Sequence, residues 1–184
     1  TRNDAHMEIA KLPDRIKAHD HTIEEFEADL KTILANTKRE FSMKIGDTVF
    51  DERGKAGEKI IEIALNSRTA ATAGKDIHIG EYRGLPLFIY VSEVLGVDPW
   101  ITVRGKAQRY SGHVSESPDG TIRSLDYQIS EESILGTIKE NREARASLEK
   151  KLTDLKEEVK KPFADADKLK EAIKLQSELE KKLD

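Results

Sequence analysis

The chain contains no cysteine, so no disulfide, thiolate metal site or cysteine nucleophile can belong to it. Aromatic residues make up only 5%, with a single tryptophan, and hydrophobic residues 37%, too few to fill one large core in 184 residues. No apolar run approaches the roughly 20 residues that cross a bilayer, and no signal peptide opens the chain, so a cytoplasmic location without a membrane partner is expected. A strong excess of one charge is missing too. The net charge is only −4, from 31 basic and 35 acidic residues, which withholds the basic surplus common in nucleic-acid domains. The middle of the chain is less acidic than its ends, so any such binding must rest on local patches. The chain opens on Thr1 and carries His6-Met7, which has the look of a cloning junction, so a piece excised from a larger protein is expected.

Charge itself is plentiful, at 36%, and it surrounds two apolar rhythms. Ile9, Leu12, Ile16, His19, Ile23, Phe26, Leu30, Ile33 and Thr37 step alternately by three and four residues. Ile134, Ile138, Asn141, Arg145, Leu148, Leu152, Leu155 and Val159 do the same. A repeat averaging about 3.5 residues keeps one stripe facing a partner helix, so both stretches read as coiled-coil seams. Each is roughly 40 Å long, which suits antiparallel partners. Leu169, Ala172, Gln176, Leu179 and Leu183 continue the rhythm beyond Lys161-Pro162-Phe163, where proline removes a helix donor and is expected to turn the chain back. The expected fold class is α+β: an antiparallel coiled-coil stalk of three long helices, with a small α+β head inserted between the first and second arms. Residues 1–38 form the first arm, 39–130 the head, and 131–184 the second and third arms.

Within the head, Phe41, Met43 and Ile45 alternate before Gly46-Asp47, and Val49-Phe50 resume the strand. Asp51 is placed to cap a helix whose apolar face runs through Ala56, Ile60 and Ala64 to Asn66-Ser67. Gly54 and Gly57 in its opening turns permit close approach of another backbone. Ile77 to Val91 predicts a hairpin bending at Arg83-Gly84, and strands follow around Trp100–Val103 and Tyr110–Val114. After a turn at Ser117-Pro118-Asp119-Gly120, the spacing of Ile122, Leu125 and Ile129 predicts a short helix. A small antiparallel sheet with at least one packed helix results.

Most catalytic patterns fail on spacing. Gly54-Lys55-Ala56 resembles the end of a phosphate-binding loop, but Val49 stands where that motif needs glycine and Ala56 where it needs a hydroxyl. His19 and His21 lie about 200° apart around a helix, so they cannot share a metal, and His19 reads as a polar break that sets register. His78 and His113 fall on predicted strands without clustered ligands. Asp47, Asp51, Glu52 and Glu58 suit helix starts, where acids complement the dipole, better than a cation site. No cofactor, metal or catalytic residue is expected. The surviving candidates are Arg53, Lys55, Arg83, Arg104, Lys106 and Arg109, beside Tyr82, Trp100 and Tyr110. Cations on strand-connecting turns near rings can neutralise phosphates and stack on bases, which makes these, Tyr110 included, the nucleic-acid-binding candidates. The plainer account is solvated turns around a core tryptophan.

Phe41 to Gly57, Ile79-Gly80 with Gly84-Leu85, Tyr110 with Ser117 and Gly120, Pro162-Phe163 and the terminal leucine-rich helix together resemble the C-terminal region of very large proteins of phages and conjugative elements. Those proteins join a Swi/Snf-type helicase to an N6-adenine DNA methyltransferase. The resemblance spans nearly the whole chain, through structural motifs and not catalytic ones. It implies a tail following the motor and methyltransferase domains, with no ATPase or methyl-transfer residues of its own. The expected function is a non-catalytic accessory module, with the coiled coil as spacer and the head contacting DNA or a partner. Its expected partners are DNA and the upstream domains, as a monomer or coiled-coil dimer. The alternative is an interaction or oligomerisation module with no nucleic-acid role.

Overall fold

A computed structural model describes residues 1–69, 71–94 and 97–183, with the side chains of 162–166 outside the description. The elements are α1 (Arg2–Ala35), β1 (Met43–Ile45), β2 (Thr48–Phe50), α2 (Arg53–Asn66), β3 (Asp76–Tyr82), β4 (Leu85–Tyr90), β5 (Trp100–Arg104), β6 (Arg109–His113), α3 (Pro118–Gln128) and α4 (Glu131–Leu183). The mixed helix-and-sheet class is as expected. No helix among the described residues is long and apolar enough to cross a membrane.

Two compact units divide the chain, Thr1–His21 with Asn141–Asp184, and Thr22–Glu140. This boundary differs from residues 38/39 and 130/131, because the later part of the first seam, from Ile23 on, and the first two positions of the second, Ile134 and Ile138, fall in the second unit. Ile23, Phe26, Leu30 and Ile33 of α1, with Ile134 and Ile138 of α4, join one buried cluster with the sheet residues. The periodicity marked these positions as covered, yet it could not say that a sheet would cover them.

In the first unit the two helical segments pair antiparallel. Lys151 Nζ reaches Glu8 Oε1 at 3.4 Å, while Arg145 engages Asp20 and lies 2.8 Å from Glu149. Leu12 is buried to 1% exposure and Ile16 to 9%, and Leu148, Leu152, Leu155 and Val159 are half-buried. Two polar seam positions meet, His19 Nδ1 lying 3.0 Å from Asn141 Oδ1. Pro13 sits inside α1 without ending it. A separate third arm is absent from the element order, since Glu131–Leu183 is one helix. Pro162 and Phe163, where the turn-back was expected, lie outside the described side chains. Leu169, Leu179 and Leu183 of the expected third arm, with Ile173 and Leu175 beside them, are 57–86% exposed, so this stretch leaves its apolar side chains largely uncovered by the described residues.

The second unit is built on a six-stranded antiparallel sheet in the order β2-β1-β3-β4-β5-β6. Gly46 at φ 58° closes the first hairpin where Ile45 pairs with Thr48. Arg83 and Gly84 close the second with φ of 48° and 81°, the two left-handed residues that a tight hairpin turn demands. Helix α2 ends at Asn66 as the sequence indicates, but its N-cap is Glu52, not Asp51, and no side chain caps it. The stretch expected as a turn is the start of α3: Ser117 Oγ accepts from Gly120 N at 3.0 Å and Pro118 opens the helix, a placement that uses proline's missing donor. A Cβ on Gly57 would collide with the Pro118 carbonyl, so α2 and α3 touch backbone to backbone there, whereas one on Gly54 would meet nothing within 4 Å.

Candidate functional site

Alternation along the strands sorts side chains onto two faces. Leu87, Ile89, Ile101, Val103 and Tyr110 face the core. On the opposite face the register aligns Asp76, Tyr90, Trp100 and His113 in one row across four strands, and His78, Phe88, Thr102 and Ser111 in the next. Arg104 and Arg109 pair at the end of β5 and β6.

Flat rings and guanidinium groups alternate over this surface. Trp100 and His113 stack with centroids 4.0 Å apart and planes inclined by 35°. Phe88 lies 5.0 Å from the His78 ring and carries the Arg104 guanidinium over its face at 4.1 Å. Two arginines placed opposite each other repel, and one carboxylate offsets this. Asp76 Oδ2 lies 3.3 Å from Arg104 Nη2 and 2.5 Å from Arg109 Nη1. Its other oxygen, Oδ1, is buried with no hydrogen-bond partner among the described residues. Arg104 and Arg109 keep 45% and 55% of their side chains exposed, so both retain free edges for an incoming acceptor. A shallow cleft of about 440 Å³ opens between Asp76, Tyr90, Trp100, Thr102, Arg109 and Ser111.

The turn between β5 and β6 is locked from beneath. Asp29 of α1, 2% exposed, accepts from Lys106 N at 2.7 Å, Ala107 N at 3.0 Å and the Tyr110 hydroxyl at 2.9 Å. Tyr110 therefore leaves the set of binding candidates: it is 1% exposed, and burial together with the Asp29 hydrogen bond and charge raises its pKa well above the ordinary tyrosine value. Lys106 contributes its backbone to this lock and leaves its side chain in solvent.

Arg53 and Arg83 come together elsewhere, on Asp126 of α3. Arg53 Nε lies 2.9 Å from Oδ2 and Arg83 Nη2 3.5 Å from Oδ1, and the Tyr82 hydroxyl also donates to this carboxylate. Each guanidinium is backed by a ring, Arg53 by Phe41 at 4.9 Å and Arg83 by Tyr82 at 5.0 Å. Burial opposes the Arg53 charge, but the Asp126 hydrogen bond and charge outweigh it and raise its pKa. Burial first, then Asp126, raises the Tyr82 pKa. Lys55 stands apart, 3.0 Å from Glu52 and 70% exposed.

The seven candidates thus divide: Arg104 with Arg109 on the sheet, Arg53 with Arg83 on Asp126, Lys106 at a locked turn, Lys55 in solvent and Tyr110 in the core. The organising residues, Asp29, Asp76 and Asp126, carried no motif. Asp29 does fall between Phe26 and Ile33 on the apolar stripe, where an acid needs a buried partner. No group of three or more potential metal ligands occurs among the described residues. No protein-family model, no curated protein and no solved structure matches the chain.

Proposed function

We propose that this chain is a non-catalytic accessory module of a larger DNA-processing protein, of the helicase–methyltransferase kind that its sequence resembles. The outer sheet face contacts single-stranded DNA, and the paired helices of the first unit act as a connecting spacer. The observation that carries this reading is the Trp100–His113 stack beside Arg104 and Arg109 on a solvent-facing sheet. An unpaired strand needs rings for its bases and guanidinium groups for its phosphates. A broad sheet face does not enter a duplex groove as a helix or two-stranded ribbon does.

Fluorescence anisotropy with a labelled single-stranded oligonucleotide tests it. Engagement of two to three phosphates makes log K fall against log salt with a slope of about −1.4 to −2. Trp100→Ala lowers affinity at every salt concentration, and Arg109→Gln makes the slope shallower by about 0.7. No binding at low salt overturns the reading. A second reading, self-association without a nucleic-acid role, is favoured by the exposed row Leu169, Ile173, Leu179 and Leu183 on α4. Sedimentation equilibrium decides it: a concentration-dependent dimer that Leu179→Glu abolishes supports it, and a monomer at all concentrations removes it.

A further inference from the structure

The segment joining α1 to β1, the β3–β4 turn and the start of α2 enclose a cleft of about 470 Å³. Its lining is unusual for an acidic protein, with five basic residues, Lys38, Arg39, Lys44, Arg53 and Arg83, against Glu40 and Glu81. With Asp126 set behind the two deeper arginines, five positive charges meet three negative ones, leaving two uncompensated.

Three further observations bear on what fills it. Lys38, Arg39 and Lys44 have no ion-pair partner among the described residues, although carboxylates abound in the chain. Helix α2 begins at the cleft wall with Arg53, and no side chain caps that end. Arg83 is also the one non-glycine residue with positive φ among those described, at a turn position where asparagine or glycine fits without strain. Its side chain is nonetheless used, aligned over Tyr82 and held on Asp126 with 19% left exposed.

We infer that this cleft is a binding site for a phosphate monoester. Two uncompensated charges match a monoester dianion better than the single charge of a backbone diester. The volume exceeds that of bare phosphate and falls within the range of small-ligand sites. The group is carried either by a free nucleotide or by the phosphorylated 5′ end of a strand. Arg53 and Arg83 are preset by Asp126 to grip the phosphate oxygens, and Lys38, Arg39 and Lys44 close the rim. The inference stands apart from the sheet-face reading, since it shares no side chain with Trp100, Arg104 or Arg109.

The test uses the full chain at constant ionic strength. Calorimetric titration with inorganic phosphate and with deoxyadenosine monophosphate is set beside anisotropy of one oligonucleotide bearing either a 5′-phosphate or a 5′-hydroxyl. Saturable binding of the mononucleotide assigns the free-nucleotide source. About tenfold tighter binding of the 5′-phosphorylated strand, with weak mononucleotide binding, assigns the strand end. Either outcome requires that Arg53→Gln, and the rim variant Lys38→Gln/Arg39→Gln, reduce affinity about tenfold or more. The rim residues are exposed, so that double variant keeps its native melting curve even if Arg53→Gln does not fold. Trp100→Ala leaves phosphate binding unchanged, which separates failure here from failure of the sheet-face reading. Absence of saturable binding by every probe, or binding indifferent to Lys38→Gln/Arg39→Gln, overturns the inference.

Discussion

Replacing Asp29 by alanine removes the acceptor on which three donors converge, two backbone N–H groups and the Tyr110 hydroxyl, at 2.7 to 3.0 Å. A hydrogen bond to a charged group contributes about 1.5–3 kcal/mol, but the two amides lie in a turn whose residues reach solvent and can partly recover water. The Tyr110 hydroxyl cannot, because the residue is 1% exposed. Counting one full loss and two partial ones, Asp29→Ala costs about 3–5 kcal/mol, at the large end for a single substitution. Asp29→Asn keeps an acceptor for Lys106 N but sets an amide donor against Ala107 N, for about 2–3 kcal/mol. Tyr110→Phe removes one donor from a carboxylate that keeps two others, for about 1 kcal/mol. Urea unfolding followed by circular dichroism and by the fluorescence of the sole tryptophan, Trp100, measures all three. Asp29 also holds the turn that carries Arg104, Lys106 and Arg109, so under the proposed function the folded Asp29→Asn variant should show weaker single-stranded DNA binding by anisotropy. An Asp29→Ala cost below about 1 kcal/mol would show that the turn is held by its own strands, and the reasoning about this lock would be wrong.

Other substitutions probe different parts of the fold. Gly57→Ala should destabilise by about 3 kcal/mol or more, because its methyl meets the Pro118 backbone, while Gly54→Ala, with open space around it, should be neutral or stabilising by up to about 1 kcal/mol; equal thermal melts for the two would contradict the packing of α2 on α3. Tyr82 and Tyr110 both have raised pKa values in the fold. Their contribution is complete below the unfolded tyrosine value near 10 and is lost above it, at about 2.7 kcal/mol per pH unit for the pair. Alkaline titration of stability checks this, and Tyr82→Phe should halve the slope. In the first unit, replacing the His19–Asn141 pair by two leucines should raise the melting temperature while loosening the choice of partner, as polar seam positions trade stability for register; a lower melting temperature would mean that the pair stabilises outright.

Local structure was largely legible beforehand. The hairpin turns at Gly46-Asp47 and Arg83-Gly84, the end of α2 at Asn66 and the close approach at Gly57 each follow from what one or two residues permit their own backbone to do. Side-chain alternation likewise announced β3 to β6. The apolar seam residues from Leu12 to Ile33 and at Ile134 and Ile138 were recognisable as buried. Misjudged starts occurred where a polar residue fits two roles. Asp51 and Glu52 can both precede a helix, and Ser117-Pro118 reads equally as a turn or as a cap followed by a first helical residue.

By itself the amino-acid order determined which positions are apolar, where the chain can bend, and that no thiol is available. Tertiary structure alone decided what covers each apolar stripe and which charges meet. Asp29 finds the Lys106 turn 77 positions away, and Arg53 finds Asp126 across 73. Periodicity records that a side chain leaves water but carries no address for the surface that receives it. A carboxylate's role depends on the donors that distant strands and helices bring within about 3 Å of it.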